Sequence, residues 1–176
     1  MENYYDYSDF EPLSLTDEEL ALLKKLRSLS DRDGFEYGVA FADGVVTKIF
    51  TNGFANKVSV PNNIYAGNIR LFHSHTIRSP LSPSDLFLLT NPRISEIAVI
   101  TSDGSVFRAM VNGGIKPSED EYYEDTDGLD DEVNFEMIER PEFNIWDIEL
   151  RKYMASKEQM FRIARLFKWV IEGGRI

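Results

Sequence analysis

The chain holds two histidines, and they stand two residues apart as His73-Ser74-His75. In an extended strand, residues i and i+2 face the same side, so this spacing aims both imidazoles at one point, as a ready pair of metal ligands. Two histidines placed at random in such a chain fall two apart in about one case in ninety; a pair of exposed strand histidines is the plain alternative. Seven to ten residues further on comes Ser82-Pro83-Ser84-Asp85. Ser82 and Asp85, at i and i+3, share one side of a first helical turn, so a loop folding back would bring a carboxylate to the imidazoles as a third donor. The same tetrapeptide is also accounted for without chemistry, with Ser82 as N-cap, Pro83 at the first helical position and Asp85 as the reciprocal capping carboxylate.

Two His and one Asp leave a fourth tetrahedral position open, the arrangement of catalytic rather than structural zinc. Zinc brings the pKa of water down to about 7, and hydrolysis then needs a base to receive the proton and a donor to steady the developing oxyanion. Glu36 is the candidate base, because a lone acid in the otherwise apolar run from Phe35 to Phe41 needs a reason to be there. A place at the solvent-exposed start of a strand is the other reason available.

These residues need elements to position them. Thr16-Asp17-Glu18-Glu19 is a capping box that starts a helix running to about Leu29, with Leu20, Leu22, Leu23 and Leu26 on its buried side. Phe35 to Phe41 and Val45 to Thr51 are β-rich runs joined by Asp43-Gly44, and Asn52-Gly53 turns the chain into a further strand from Ala55 to Val60, ended by Pro61-Asn62-Asn63. Asn68 to His75 alternates as a strand, and a short helix from Pro83 carries Leu86, Leu88 and Leu89 until Asn91-Pro92 stops it. Ile94 to Ile100 and Ser105 to Val111 form a hairpin through Asp103-Gly104. Residues 145–173 have a helical period, with Gly173-Gly174 as the stop.

The 176 residues include 19 Lys plus Arg, 30 Asp plus Glu and no Cys, for a net charge of −11. This predicts one domain over 14–176 behind a flexible acidic-aromatic tail, 1–13, and excludes disulfides, a thiolate nucleophile and cysteine-held metals. Nine acids and no base lie between Ser118 and Glu132, which predicts a solvated acidic loop over 113–132. Asp125, Asp127 and Asp130 lack the spacing of a calcium loop. Arg151 to Ile176 carries seven bases against two acids, so attraction between the C-terminal helix and the acidic stretch is expected. That helix fits packing on a sheet better than lying on a membrane surface. The acidic balance argues against nucleic acid as a partner, and neither a secretion signal nor a membrane span is legible, so a cytoplasmic protein is expected.

Glu36 on an early strand, His73-x-His75 and Ser82-x-x-Asp85, in this order, resemble the JAMM motif of the MPN-type (JAB domain) metalloproteases. The segments Phe35-Glu36-Tyr37-Gly38 and Ile100-Thr101-Ser102-Asp103-Gly104 are also similar to that family, and the likeness spans about residues 15 to 112. The resemblance implies an α/β fold, a mixed β-sheet flanked by helices with cytidine-deaminase-like layering, here with the acidic loop and the C-terminal helix. It implies a Zn2+-dependent hydrolase of peptide or isopeptide bonds, with His73, His75 and Asp85 on the metal, Glu36 activating the water and Ser82 helping to stabilise the oxyanion. The substrate so implied is a protein or peptide, such as the tail of a ubiquitin-like or other small protein. Two positions depart from the pattern: Thr76 stands where the family usually has Pro, which predicts a freer loop from Ile77 to Leu81, and the spacer before Ser82 is one residue short of the usual seven. Because many domains of this fold have lost the metal, a non-catalytic protein-interaction module is the alternative; such domains usually lack a ligand, and here the set is complete.

Overall fold

A computed structural model describes residues 6–61, 67–139 and 148–176. Its elements in chain order are α1 (Asp17–Asp33), β1 (Gly38–Ala42), β2 (Val45–Val46), β3 (Ile69–Ser74), α2 (Pro83–Phe87), β4 (Ile94–Ile100), β5 (Ser105–Met110), α3 (Glu119–Thr126), α4 (Leu129–Glu139), α5 (Ile148–Phe167) and β6 (Val170–Arg175). The strands make one mixed sheet in the order β2-β1-β3-β4-β5-β6, in which β3 and β4 run parallel and every other pair antiparallel. A parallel pair needs a crossover, and the crossover from β3 to β4 is the stretch that carries α2. Among the described residues no helix is long and apolar enough to cross a membrane.

Strand alternation sorts the core into two layers. Leu23 and Leu26 of α1 pack on Val39, Phe41, Phe72, Ala98, Ile100 and Val106. On the opposite face, Ile69, Leu71, Ile97, Val99 and Phe107 meet Leu86 of α2 and Met160, Ile163 and Phe167 of α5. His73 shares the parity of Ile69 and Leu71, so it points into the layer that holds α2 and α5.

The α1 face also carries a row of charges, buried except for a half-buried Arg70, that crosses four strands. Glu19 meets Arg70, Arg70 meets Glu96 at 2.7 Å, Arg108 meets Glu96 at 2.7 Å and Glu172 at 3.0 Å, and Ser14 Oγ donates to Glu172 at 2.6 Å. Each charge has an opposite neighbour, which is what allows the row to be buried.

Several expectations are corrected. The predicted acidic loop 113–132 is largely helical: Ser118 and Glu121 form a capping box at the start of α3, and α4 follows, with Tyr122, Val133 and Met137 buried. The predicted C-terminal helical region 145–173 ends its helix at Phe167, and residues 145–147 lie outside the described residues. Lys168, at φ 56°, breaks the helix, and Val170–Arg175 pairs antiparallel with β5. Gly173 therefore stops nothing; a Cβ there would lie 2.5 Å from the Phe10 ring, so glycine lets that ring press on the strand. The tail is not loose over its described part, since Phe10 is buried and Glu11 exchanges backbone hydrogen bonds with Ile171 and Gly173 at 3.1 and 3.0 Å. Residues 1–5 lie outside the described residues. The strand predicted over Val45 to Thr51 is regular only at Val45–Val46, and that over Ala55 to Val60 is irregular chain. Asn62 and Asn63 lie outside the described residues. The expected attraction between the basic helix and the acidic segment is present: Arg162 bridges Glu132 at 3.3 Å and Glu136 at 2.6 Å.

Candidate metal centre

The site forms where β3 runs out beside the start of α2. Gly38 of β1 stands opposite His73, and continuing that antiparallel register by two residues sets Glu36 across from His75. That register is held past the strand end by Ser74 N–H to the Tyr37 carbonyl at 2.9 Å, and on the other side His75 N–H ties β3 to β4 through the Ile100 carbonyl at 2.9 Å. Glu36 is fixed in turn, its N–H donating to the Phe54 carbonyl at 2.9 Å and its carbonyl accepting from Thr51 Oγ1 at 2.6 Å. It precedes β1 but is only 7% exposed, so the solvent-facing alternative does not hold for it.

The third donor arrives through α2. Ser82 caps this helix, and its N–H and hydroxyl both donate to Asp85 Oδ2 at 2.7 Å, while Asp85 N–H donates back to Ser82 Oγ at 3.1 Å. The capping reading of the tetrapeptide and the ligand reading are thus realised together. The contacts that cap the helix occupy Oδ2, leaving Oδ1 turned to His73.

His73, His75 and Asp85 form a group whose donor atoms lie within 4.8 Å of one another and could hold a metal ion. The two Nε2 atoms are 3.0 Å apart, His73 Nε2 lies 3.3 Å from Asp85 Oδ1, and His75 Nε2 lies 3.5 Å from Oδ2. Metal bonds of about 2.0–2.1 Å at a tetrahedral angle hold donor atoms about 3.3 Å apart, close to the spacing of His73 Nε2 from His75 Nε2 and from Asp85 Oδ1. The chemistry fits as well. His75 Nδ1 donates to the Ser79 carbonyl at 2.8 Å, which leaves the lone pair on Nε2, facing the other donors.

The electrostatics follow from burial and proximity. Burial opposes charge on Asp85, yet the adjacent His73 and His75 hold its carboxyl well below the usual range. Burial likewise opposes charge on His75, but the Asp85 carboxylate overrides it and raises the imidazole. Glu36 is pushed up, chiefly by burial, against the pull of His75 and His73. Glu36, His75, Ser82 and Asp85 all line one open cleft of ≈ 740 Å³, whose walls are residues 55–60 and the loop after His75.

All five residues singled out in the sequence thus belong to one neighbourhood: three as converging donors, Glu36 beside them in the cleft, and Ser82 holding Asp85. One contributor had no sequence signal: the Ser79 contact is a backbone carbonyl, which any residue would supply. Thr76, where the family pattern has Pro, donates its hydroxyl to the Ala55 carbonyl at 2.5 Å. Comparison of the chain with protein-family models, with curated proteins and with solved structures found no match.

Proposed function

We propose that this chain is a zinc-dependent hydrolase of peptide or isopeptide bonds on the JAMM plan of the MPN (JAB domain) proteases. It would act in the cytoplasm on a protein or peptide substrate such as the tail of a ubiquitin-like or other small protein. The observation that carries the reading is the convergence of His73, His75 and Asp85, from a strand end and a helix start, with Glu36 lining the same cleft as His75 and Asp85.

A zinc ion on these three ligands would polarise the scissile carbonyl and acidify water toward neutral pH. Glu36, buried and raised, is suited to accept a proton from water as the water oxygen bonds to the carbonyl carbon. It then returns that proton to the leaving nitrogen as the C–N bond breaks, so that acid and amine are released and Glu36 is again a carboxylate. The Ser82 hydroxyl donates a hydrogen bond to Asp85, so its first role is to orient that ligand. Donation to an oxyanion requires that hydroxyl to turn into the cleft.

The test is zinc content and cleavage of peptide-linked and isopeptide-linked substrates by the parent chain and by Glu36→Gln. We expect one zinc per chain in both and cleavage lowered by about 10²–10⁴-fold in the variant. Cleavage that survives the substitution removes Glu36 as the base, and a parent that takes up no zinc removes the metal centre.

A further inference from the structure

Asp85 sits on a helix too short to stabilise itself. α2 has five residues, barely more than a turn, and helices of that length persist only when something outside holds them. Leu86, fully buried, anchors its underside. Its first turn is held from above by a residue 37 positions beyond Asp85: the Tyr122 hydroxyl donates to the Pro83 carbonyl at 2.7 Å. Pro83 lies between Ser82, which grips Asp85 Oδ2, and Asp85 itself.

The phenol is itself immobilised. Tyr122 is 2% exposed; its ring stacks on Phe167 of α5 at 5.6 Å and 19° and meets Phe87 of α2 edge-on at 5.4 Å. Burial, first, and the nearby Asp85 carboxylate, second, raise its pKa, so the hydroxyl keeps the proton it donates.

We propose that Tyr122 is a positioning residue for the metal centre, fixing the first turn of α2 so that Asp85 meets His73 and His75. This rests on the metal-centre reading above. It gives the acidic segment a task in the site: α3 carries the clamp into place, with the Ser118 cap starting that helix four residues before Tyr122. Groups that orient a ligand from outside the coordination sphere change metal affinity by about 10–100-fold when removed.

The experiment is a competition titration of zinc against a chromophoric chelator, with the full chain, for the parent, Tyr122→Phe and Tyr123→Phe, alongside melting of each protein free of metal. Tyr122→Phe keeps the ring stack and loses only the hydroxyl, while Tyr123, 60% exposed, is the neighbouring control. We expect zinc Kd to rise about tenfold in Tyr122→Phe and to stay at the parent value in Tyr123→Phe. A Tyr122→Phe protein that melts lower but binds zinc within twofold of the parent overturns the proposal, because that is what a purely structural hydroxyl would do. If the parent binds no zinc, the metal centre itself fails and this role with it, a result distinct from a bound parent with an indifferent variant.

Discussion

Replacing Ser82 by Ala separates the two duties that one hydroxyl performs. Ser82 Oγ accepts from Asp85 N–H at 3.1 Å and donates to Asp85 Oδ2 at 2.7 Å, while the Ser82 N–H bond to Oδ2, also 2.7 Å, survives the substitution. Loss of a helix N-cap costs about 1 kcal/mol, and a hydrogen bond to a charged group is worth about 1.5–3 kcal/mol. Because the remaining N–H keeps Oδ2 from being orphaned, the combined cost to the metal-free protein should be about 2 kcal/mol. In a domain of this size that lowers Tm by about 4–8 °C. The second effect is on the metal: Asp85 freed of one of two restraints should bind zinc about 10–100-fold more weakly. Thermal melting in chelator measures the first quantity and competitive zinc titration the second, with Ser82→Thr, which keeps a hydroxyl at the same place, restoring both. A Ser82→Ala protein that melts lower yet binds zinc as tightly as the parent would refute the reasoning and reduce the serine to a cap.

Two more outcomes follow from the same structure. Glu36 has a pKa raised in the folded state, so the fold favours its protonated form, and the stability this gives is present below the ordinary Glu pKa and lost as pH rises through the raised value. In metal-free protein, Glu36→Gln should therefore melt higher than the parent at pH 7, with the gain shrinking as pH falls through the raised value and gone below about pH 4.3; an equal or lower melting point at pH 7 counts against a carboxylate held in an unfavourable place. Arg108→Met should destabilise the fold by about 3 kcal/mol in urea unfolding, since it strips Glu96 and Glu172 of a shared buried partner. A loss under about 1 kcal/mol would mean that Arg70 and Ser14 suffice for those carboxylates.

The candidate donor residues were more legible than the architecture around them. Histidines two apart say where a strand must aim them, and Ser-Pro-x-Asp says where a helix must begin, so the donors could be named from spacing alone. The place of Glu36 beside them could not, because it depends on register: Gly38 pairing with His73 is what brings Glu36 across from His75. In the acidic segment, charge density masks a local signal of the same kind as that at Thr16. Ser118-x-x-Glu121 is a capping box, and Val133 and Met137, four apart, mark one buried side of a helix. Near the C-terminus, Gly173-Gly174 has two meanings. Glycine ends helices by accepting a left-handed backbone, but here Lys168 takes that conformation, and the glycines make room for Phe10 and Leu13.

Arg108 is joined to a carboxylate 64 residues further along the chain, Glu172 on β6. At a translation rate of about 5–20 residues per second, the interval between the two is roughly 3–13 s. Through that interval the nascent chain holds β5 with its outer edge open, a template for wrong pairing. β6 is thus also the strand that covers that edge, and a ribosome pausing before Val170 would lengthen the time for which the edge stays open to wrong pairing.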